Sequence, residues 1–122
     1  MANSKNLHNS ASSDKIESEN RREHKASIMV NGILFTRVVI DTHYEKKHKA
    51  TMNDKIILGL IQALYGRSFL PETVSTSGFK YFVNDPWPLN DKWYRLIWLI
   101  PPDHSYIGIL NAFRRKNGKT KK

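Results

Sequence analysis

The sequence predicts one α+β domain, in which a single principal helix packs on a twisted antiparallel sheet of four to five strands, behind a disordered N-terminal arm. Three observations carry this expectation. Ile57, Leu60, Ile61 and Leu64 recur at helical spacing. Five β-rich runs are separated by turn formers. The stretch 1–25 has almost no apolar residue besides Ile16, so it buries too little surface to offset its ordering entropy. The organisation that follows is a polar arm over 1–25, a globular domain over 26–115 and a basic tail over 116–122. The arm is expected to add little to stability, although a short charged helix around Asp14–His24 is compatible with Glu17 and Arg21 lying four apart.

The first two strands are Ser27–Val30 and Ile33–Asp41. Between them Asn31-Gly32 suits the positive φ angles of a type I′ hairpin turn. In the second strand both faces are mostly apolar, which predicts cover on both sides near its middle. Thr51 or Asn53 then offers an N-cap, and Asp54 favours the positive helix end. The helix is expected over Asp54–Tyr65, with Gly66 as its stop. Phe69–Ser77 reads as a loop. Phe79–Val83, Trp93–Ile100 and Tyr106–Phe113 read as a meander, because Asn84–Asp91 and Pro101–His104 are rich in turn residues. Short links between successive strands imply antiparallel neighbours.

The composition bounds the function. The chain has 122 residues, no cysteine and a formal net charge of +9, with a pI near 9.9. Disulfides and thiolate metal sites are therefore excluded. No apolar run is long enough to span a bilayer, and the Asn- and Ser-rich stretch Met1–Ser13 does not read as a signal peptide. These features predict a protein without a membrane partner, cytoplasmic or delivered into a target cell. The basic balance favours a polyanion such as RNA. Part of that charge sits in Arg114–Lys122, with six basic residues and no acid, and such tails are often only solvated ends.

Three groups of residues could carry chemistry. His43, Tyr44, Glu45, Lys46, Lys47 and His48 supply acids, bases and phosphate binders within six residues. Placed just before a helix N-terminus, they would sit beside the positive dipole end. The histidine spacing and the neighbouring lysines argue against a metal site, and the segment also reads as a solvated loop. Second, Arg95 interrupts an apolar strand, and Asn111, Arg114 and Arg115 close the last one. Arginine binds phosphate bidentately, so that strand end suits a phosphate clamp; it reads equally as an ordinary strand end. Third, Tyr81, Phe82, Trp87, Trp93, Tyr94, Trp98 and Tyr106 crowd the meander. Packing accounts for most of them, while Trp87, between two prolines, is the one expected to be exposed for base stacking.

His43-Tyr44-x-x-Lys47-His48, the helix after it, Tyr81-Phe82, Tyr94-Arg95-Leu96-Ile97-Trp98 and Ile109-x-Asn111-Ala112-Phe113-Arg114-Arg115 together resemble small bacterial toxin domains of the barnase, colicin and RelE-like nuclease superfamily. The resemblance covers about Val38–Arg115. It implies a metal-independent endoribonuclease in which a ribose 2′-hydroxyl attacks the adjacent phosphate, with no cofactor and with a cognate antitoxin or immunity protein as partner. It further implies His43 or His48 as base or acid, and Lys47, Arg95 and Arg114 as charge stabilisers. Tyr94, Asn111, Arg115 and Lys46 would hold the phosphate. Two other classes stay open: a non-catalytic basic nucleic-acid-binding module, and a protein-interaction subunit with an apolar patch around Trp87 and Trp93.

Overall fold

The computed structural model describes residues 20–116. In chain order these form β1 (Arg21–Val30), β2 (Ile33–Asp41), a 3-10 turn (Thr42–Tyr44), α1 (Glu45–His48), α2 (Asp54–Gln62), β3 (Thr73–Val74), β4 (Lys80–Leu89), β5 (Lys92–Ile100) and β6 (Ile107–Arg115). All six strands join one sheet in the order β1-β2-β6-β5-β4-β3. This corrects the expected fold. The sheet has six strands instead of four to five, it is mixed because β2 and β6 run parallel, and two short helices replace the single principal one. Short links constrain only strands that follow one another in sequence. β2 and β6 are separated by both helices and the whole meander, so their pairing escapes that rule.

The arm boundary also moves. Arg21–Lys25 is strand, paired with Arg37–Asp41; residues 1–19 and 117–122, which hold the rest of the arm and nearly all of the basic tail, lie outside the described residues, as does most of the short helix considered around Asp14–His24. At the hairpin, Asn31 and Gly32 both take positive φ, 54° and 74°, as a type I′ turn needs.

The core follows from the register. Ile40, Ile109, Trp98 and Phe82 form a continuous cross-strand row over β2, β6, β5 and β4, and all four are buried. Over this face lies α2, which buries Ile57, Leu60 and Ile61, followed by buried Leu64; its hydrophobic period leaves no other orientation that keeps these side chains from water. Asn53 caps it by accepting the Ile56 N–H at 2.8 Å. The helix stops at Gln62 rather than Tyr65, and turns lead to Gly66 at φ +78°. Val39 and Leu99, on the opposite face, are buried too. Gly108 lies between them in register, and a Cβ there would meet Leu99 at 3.0 Å. Hence β2 is buried on both faces over Val38–Ile40, nearer its C-terminal end than the middle that its two apolar faces suggest, where Thr36 is exposed.

Trp87 reverses its expectation. The segment read as a turn-rich loop is the continuation of β4, with a bulge between Asn84 and Trp87 and a cis Asp85–Pro86 bond. A bulge tolerates proline because no ladder hydrogen bond is required there. Trp87 points into the core and its Nε1–H donates to the Leu60 carbonyl at 3.0 Å, satisfying an acceptor that the ending helix leaves free.

One polar cluster ties the N-terminal strand, the 3-10 turn and α2 together. The Asp54 carboxylate accepts from Arg22 Nε at 2.8 Å and Nη2 at 3.0 Å, from Tyr44 Oη at 2.7 Å, and meets His24 Nε2 at 2.9 Å. Arg22 also reaches Glu45 at 2.6 Å. The Arg22 guanidinium, helped by His24 and Tyr44, holds the Asp54 carboxyl well below the usual carboxylate range against the effect of burial. Burial and then Asp54 push the Tyr44 phenol up to about 12. A carboxylate with a depressed folded-state pKa stabilises the fold above its unfolded value of about 3.9, and this is lost as pH falls toward the folded value. Asp54→Asn is therefore expected to cost about 2 kcal/mol at pH 7 and to flatten the acid limb of stability below about pH 4. Thermal midpoints of the two proteins from pH 7 down to pH 2 check this. An unchanged acid limb would mean that Asp54 is not the group responsible. Arg22 and His24 belong to this cluster, so Arg21–Lys25 does not fit the expectation that residues 1–25 add little to stability.

Among the described residues no helix is long and apolar enough to cross a membrane.

Candidate nucleic-acid cleft

The histidine-rich segment is helical rather than loop. Asp41 caps the 3-10 turn by accepting the His43 backbone N–H at 2.9 Å, and the turn runs directly into α1. The segment does meet the start of α2, where the Tyr44 hydroxyl donates to Asp54, but Asp54 and its partners, not a free anion site, occupy that positive end. Tyr44 anchors the segment in the core, 3% exposed, which leaves its neighbours on the surface side of the turn. Opposite them, β6 carries a bulge: Ile97 pairs with Asn111 and Trp98 with Ile109, so Leu110 is the extra residue. Bulges re-aim side chains locally, and here Leu110 and Asn111 complete a cleft of about 270 Å³ with His43, Tyr44, Lys46, Lys47 and His48.

Beside this cleft the Asp41 carboxylate lies 2.6 Å from His43 Nδ1. A carboxylate can only accept, so when the ring is neutral this contact favours the tautomer with its proton on Nδ1 and the lone pair on Nε2. Asn111 Oδ1 accepts the Ala112 N–H at 2.9 Å, which leaves its amide nitrogen as the available donor. His48 stacks on Phe113, with ring centroids 4.9 Å apart and planes inclined by 24°. Tyr44 spends its hydroxyl on Asp54 and, with its pKa pushed to about 12, is no proton carrier at neutral pH.

The arginines divide. Arg114 and Arg115, with Thr51 and Lys116, line a second cleft of about 340 Å³. Arg95 lines neither. It pairs with Asp85 at 2.8 Å, and Arg115 Nη1 pairs with the same carboxylate at 2.6 Å; Asp85 reaches both from the β4 bulge with only 6% of its side chain exposed. Tyr94 is buried, 4% exposed, in the core cluster. So five of the expected site residues, His43, Lys46, Lys47, His48 and Asn111, come together. Arg114 and Arg115 stand in the second cleft, while Tyr94 and Arg95 have structural surroundings. The patch expected around Trp87 and Trp93 reduces to Trp93, 38% exposed.

Sequence reasoning missed Asp41, Asp85 and Thr51 as parts of these sites. Asp41 had a signal: an aspartate two residues before a histidine, at the end of a strand, is placed to cap the turn and hold the ring. Asp85 had none, since its arginines are distant in the chain. Among the described residues no group of three or more His, Cys, Asp or Glu side chains is arranged to hold a metal ion.

No protein-family model, no curated protein and no solved structure matches this chain.

Proposed function

We propose that the chain is a metal-independent endoribonuclease of bacterial toxin type. The observation that carries this reading is the Asp41–His43 pair opening onto a cleft shared with His48, Lys46, Lys47 and Asn111. In the proposed step, His43 Nε2 takes the proton of a ribose 2′-hydroxyl. The freed oxygen bonds to the adjacent phosphorus, the P–O5′ bond breaks, and protonated His48 gives its proton to the leaving 5′-oxygen. The products are a 2′,3′-cyclic phosphate and a 5′-hydroxyl. Lys46 and Lys47 offset the charge that builds on the phosphorane, and the Asn111 amide donates to a non-bridging oxygen. Asp41 keeps the His43 ring in the tautomer the step needs and stabilises the imidazolium formed. The resemblance to bacterial toxin nucleases supports the same reaction and adds a cognate antitoxin or immunity protein as partner.

A non-catalytic RNA-binding module is the second reading. It is favoured by the cleft of Thr51, Arg114, Arg115 and Lys116, whose lining offers cations for phosphate but no imidazole or carboxylate for acid–base chemistry.

Incubating the protein with total RNA in EDTA separates the two. Cleavage leaving cyclic-phosphate ends, with a bell-shaped pH profile from an acid and a base, is the expected result. Salt-sensitive binding without cleavage would replace the nuclease with the binding module, and cleavage that requires magnesium would overturn the mechanism.

A further inference from the structure

We infer that the cleft lined by Thr51, Arg114, Arg115 and Lys116 is a second phosphate site, which takes the backbone of the same RNA strand next to the phosphate held at His43. The inference rests on the nuclease reading for its ligand, single-stranded RNA.

Two observations lead to it. First, both clefts are built from the same pair of chain segments. His48 lines the first and Thr51, three residues on, lines the second; Asn111 lines the first, and Arg115, four residues on and on the same face of β6, lines the second. Four residues of strand span roughly 13 Å, a distance that about two extended nucleotides cover. The stacked rings of His48 and Phe113 belong to the same two segments, an aromatic pair of the kind single-stranded nucleic acid follows. Second, the charge there is cationic even after internal pairing. Asp85 offsets one of the two positive charges of Arg95 and Arg115, and Arg114 and Lys116 add two more that are exposed. Arg115 is held in place by Asp85 at 14% side-chain exposure, so one wall of the site is rigid before any ligand arrives. A hydroxyl and three cationic side chains around one open volume match the acceptor oxygens of a phosphodiester. A peptide carboxylate would use the same groups, but a protein ligand would leave the periodic spacing of the two clefts without a purpose.

The test is binding of single-stranded RNA oligonucleotides of two and five nucleotides, 2′-O-methylated so that they cannot be cut, followed by fluorescence anisotropy over a range of salt. Wild type is expected to hold the five-nucleotide strand about tenfold tighter than the two-nucleotide one. In Arg114→Ala/Lys116→Ala this advantage is lost, and the slope of log affinity against log salt falls by about 1.4, two contacts at about 0.7 each on a single strand. Arg114→Gln alone, which keeps the bulk of the side chain, removes about half of that slope and guards against a variant that fails to fold. Wild-type affinity and slope in both variants would overturn the second site. Cutting an unmodified five-nucleotide strand in parallel separates this inference from the one it rests on. If wild type cuts and both variants cut as well as wild type, the second site falls and the nuclease stands. If nothing is cut while the variants lose binding, the second site stands on a non-catalytic protein. No binding of either strand by wild type overturns both.

Discussion

His43→Ala is expected to slow RNA cleavage by about 10²–10⁴-fold, the usual worth of a positioned acid–base group. The side chain is roughly half exposed and, among the described residues, its ring meets Asp41, so the fold should be unaffected to within about 0.5 kcal/mol. The loss must therefore appear in the rate and not in the thermal midpoint. Asp41→Ala should lose less activity, since it removes the group that orients the ring and not the ring itself. Its effect also has a structural part, because Asp41 caps the 3-10 turn. Single-turnover cleavage of one defined RNA by wild type and both variants, with circular dichroism melts beside it, checks the order. Equal rates for His43→Ala and wild type would remove His43 from the mechanism whatever the activity's source.

The largest effect on stability is expected at Trp98. Its ring is fully buried, stacked on Phe82 with centroids 4.1 Å apart, and edge-on to Phe69 at 5.8 Å. Its Nε1–H donates to Asn84 Oδ1 at 2.7 Å, and Asn84 is itself buried. Trp98→Ala removes the ring from the centre of the cross-strand row and leaves a cavity, at a cost of about 4–5 kcal/mol. That is a large fraction of the stability of a domain this size, so the variant should be partly unfolded at 37 °C. Trp98→Phe keeps most of the packing but leaves Asn84 without its donor, which costs about 1–3 kcal/mol. Urea midpoints of the two variants should therefore fall in the order wild type, Phe, Ala. A Phe variant as stable as wild type would show that water or another donor satisfies Asn84.

The parts of the fold that were legible in the sequence are those whose cause is local. Asn31-Gly32 specifies its turn through backbone φ alone, and the spacing of Ile57, Leu60, Ile61 and Leu64 specifies a helix and the face it buries. The His43–His48 segment stands out as a candidate site by residue type alone. Its local form was misread because a run of charged residues after a strand resembles a loop; the Asp41 cap and the Tyr44 anchor make it a turn and a helix instead. Trp87 was misread for a related reason. Two flanking prolines signal a loop when judged by their neighbours, whereas a bulge lets β4 continue through them once α2 offers the Leu60 carbonyl on the other side.

What the sequence by itself determined, then, is the hairpin, the buried stripe of α2, a basic surface and a cluster of proton carriers beside the end of β2. Only the tertiary structure decided that β2 and β6 run side by side and parallel. That pairing brings the α1 segment against Leu110 and Asn111 and so creates the first cleft. The arginines part for a different reason: Arg95 meets Asp85 within the β4–β5 pair, while Arg114, at the end of β6, stands beside Thr51. The physical reason is that turn and helix preferences act between residues a few positions apart. Which strand edge meets which depends instead on the sum of packing over the whole core, and no single residue of β2 or β6 encodes its partner.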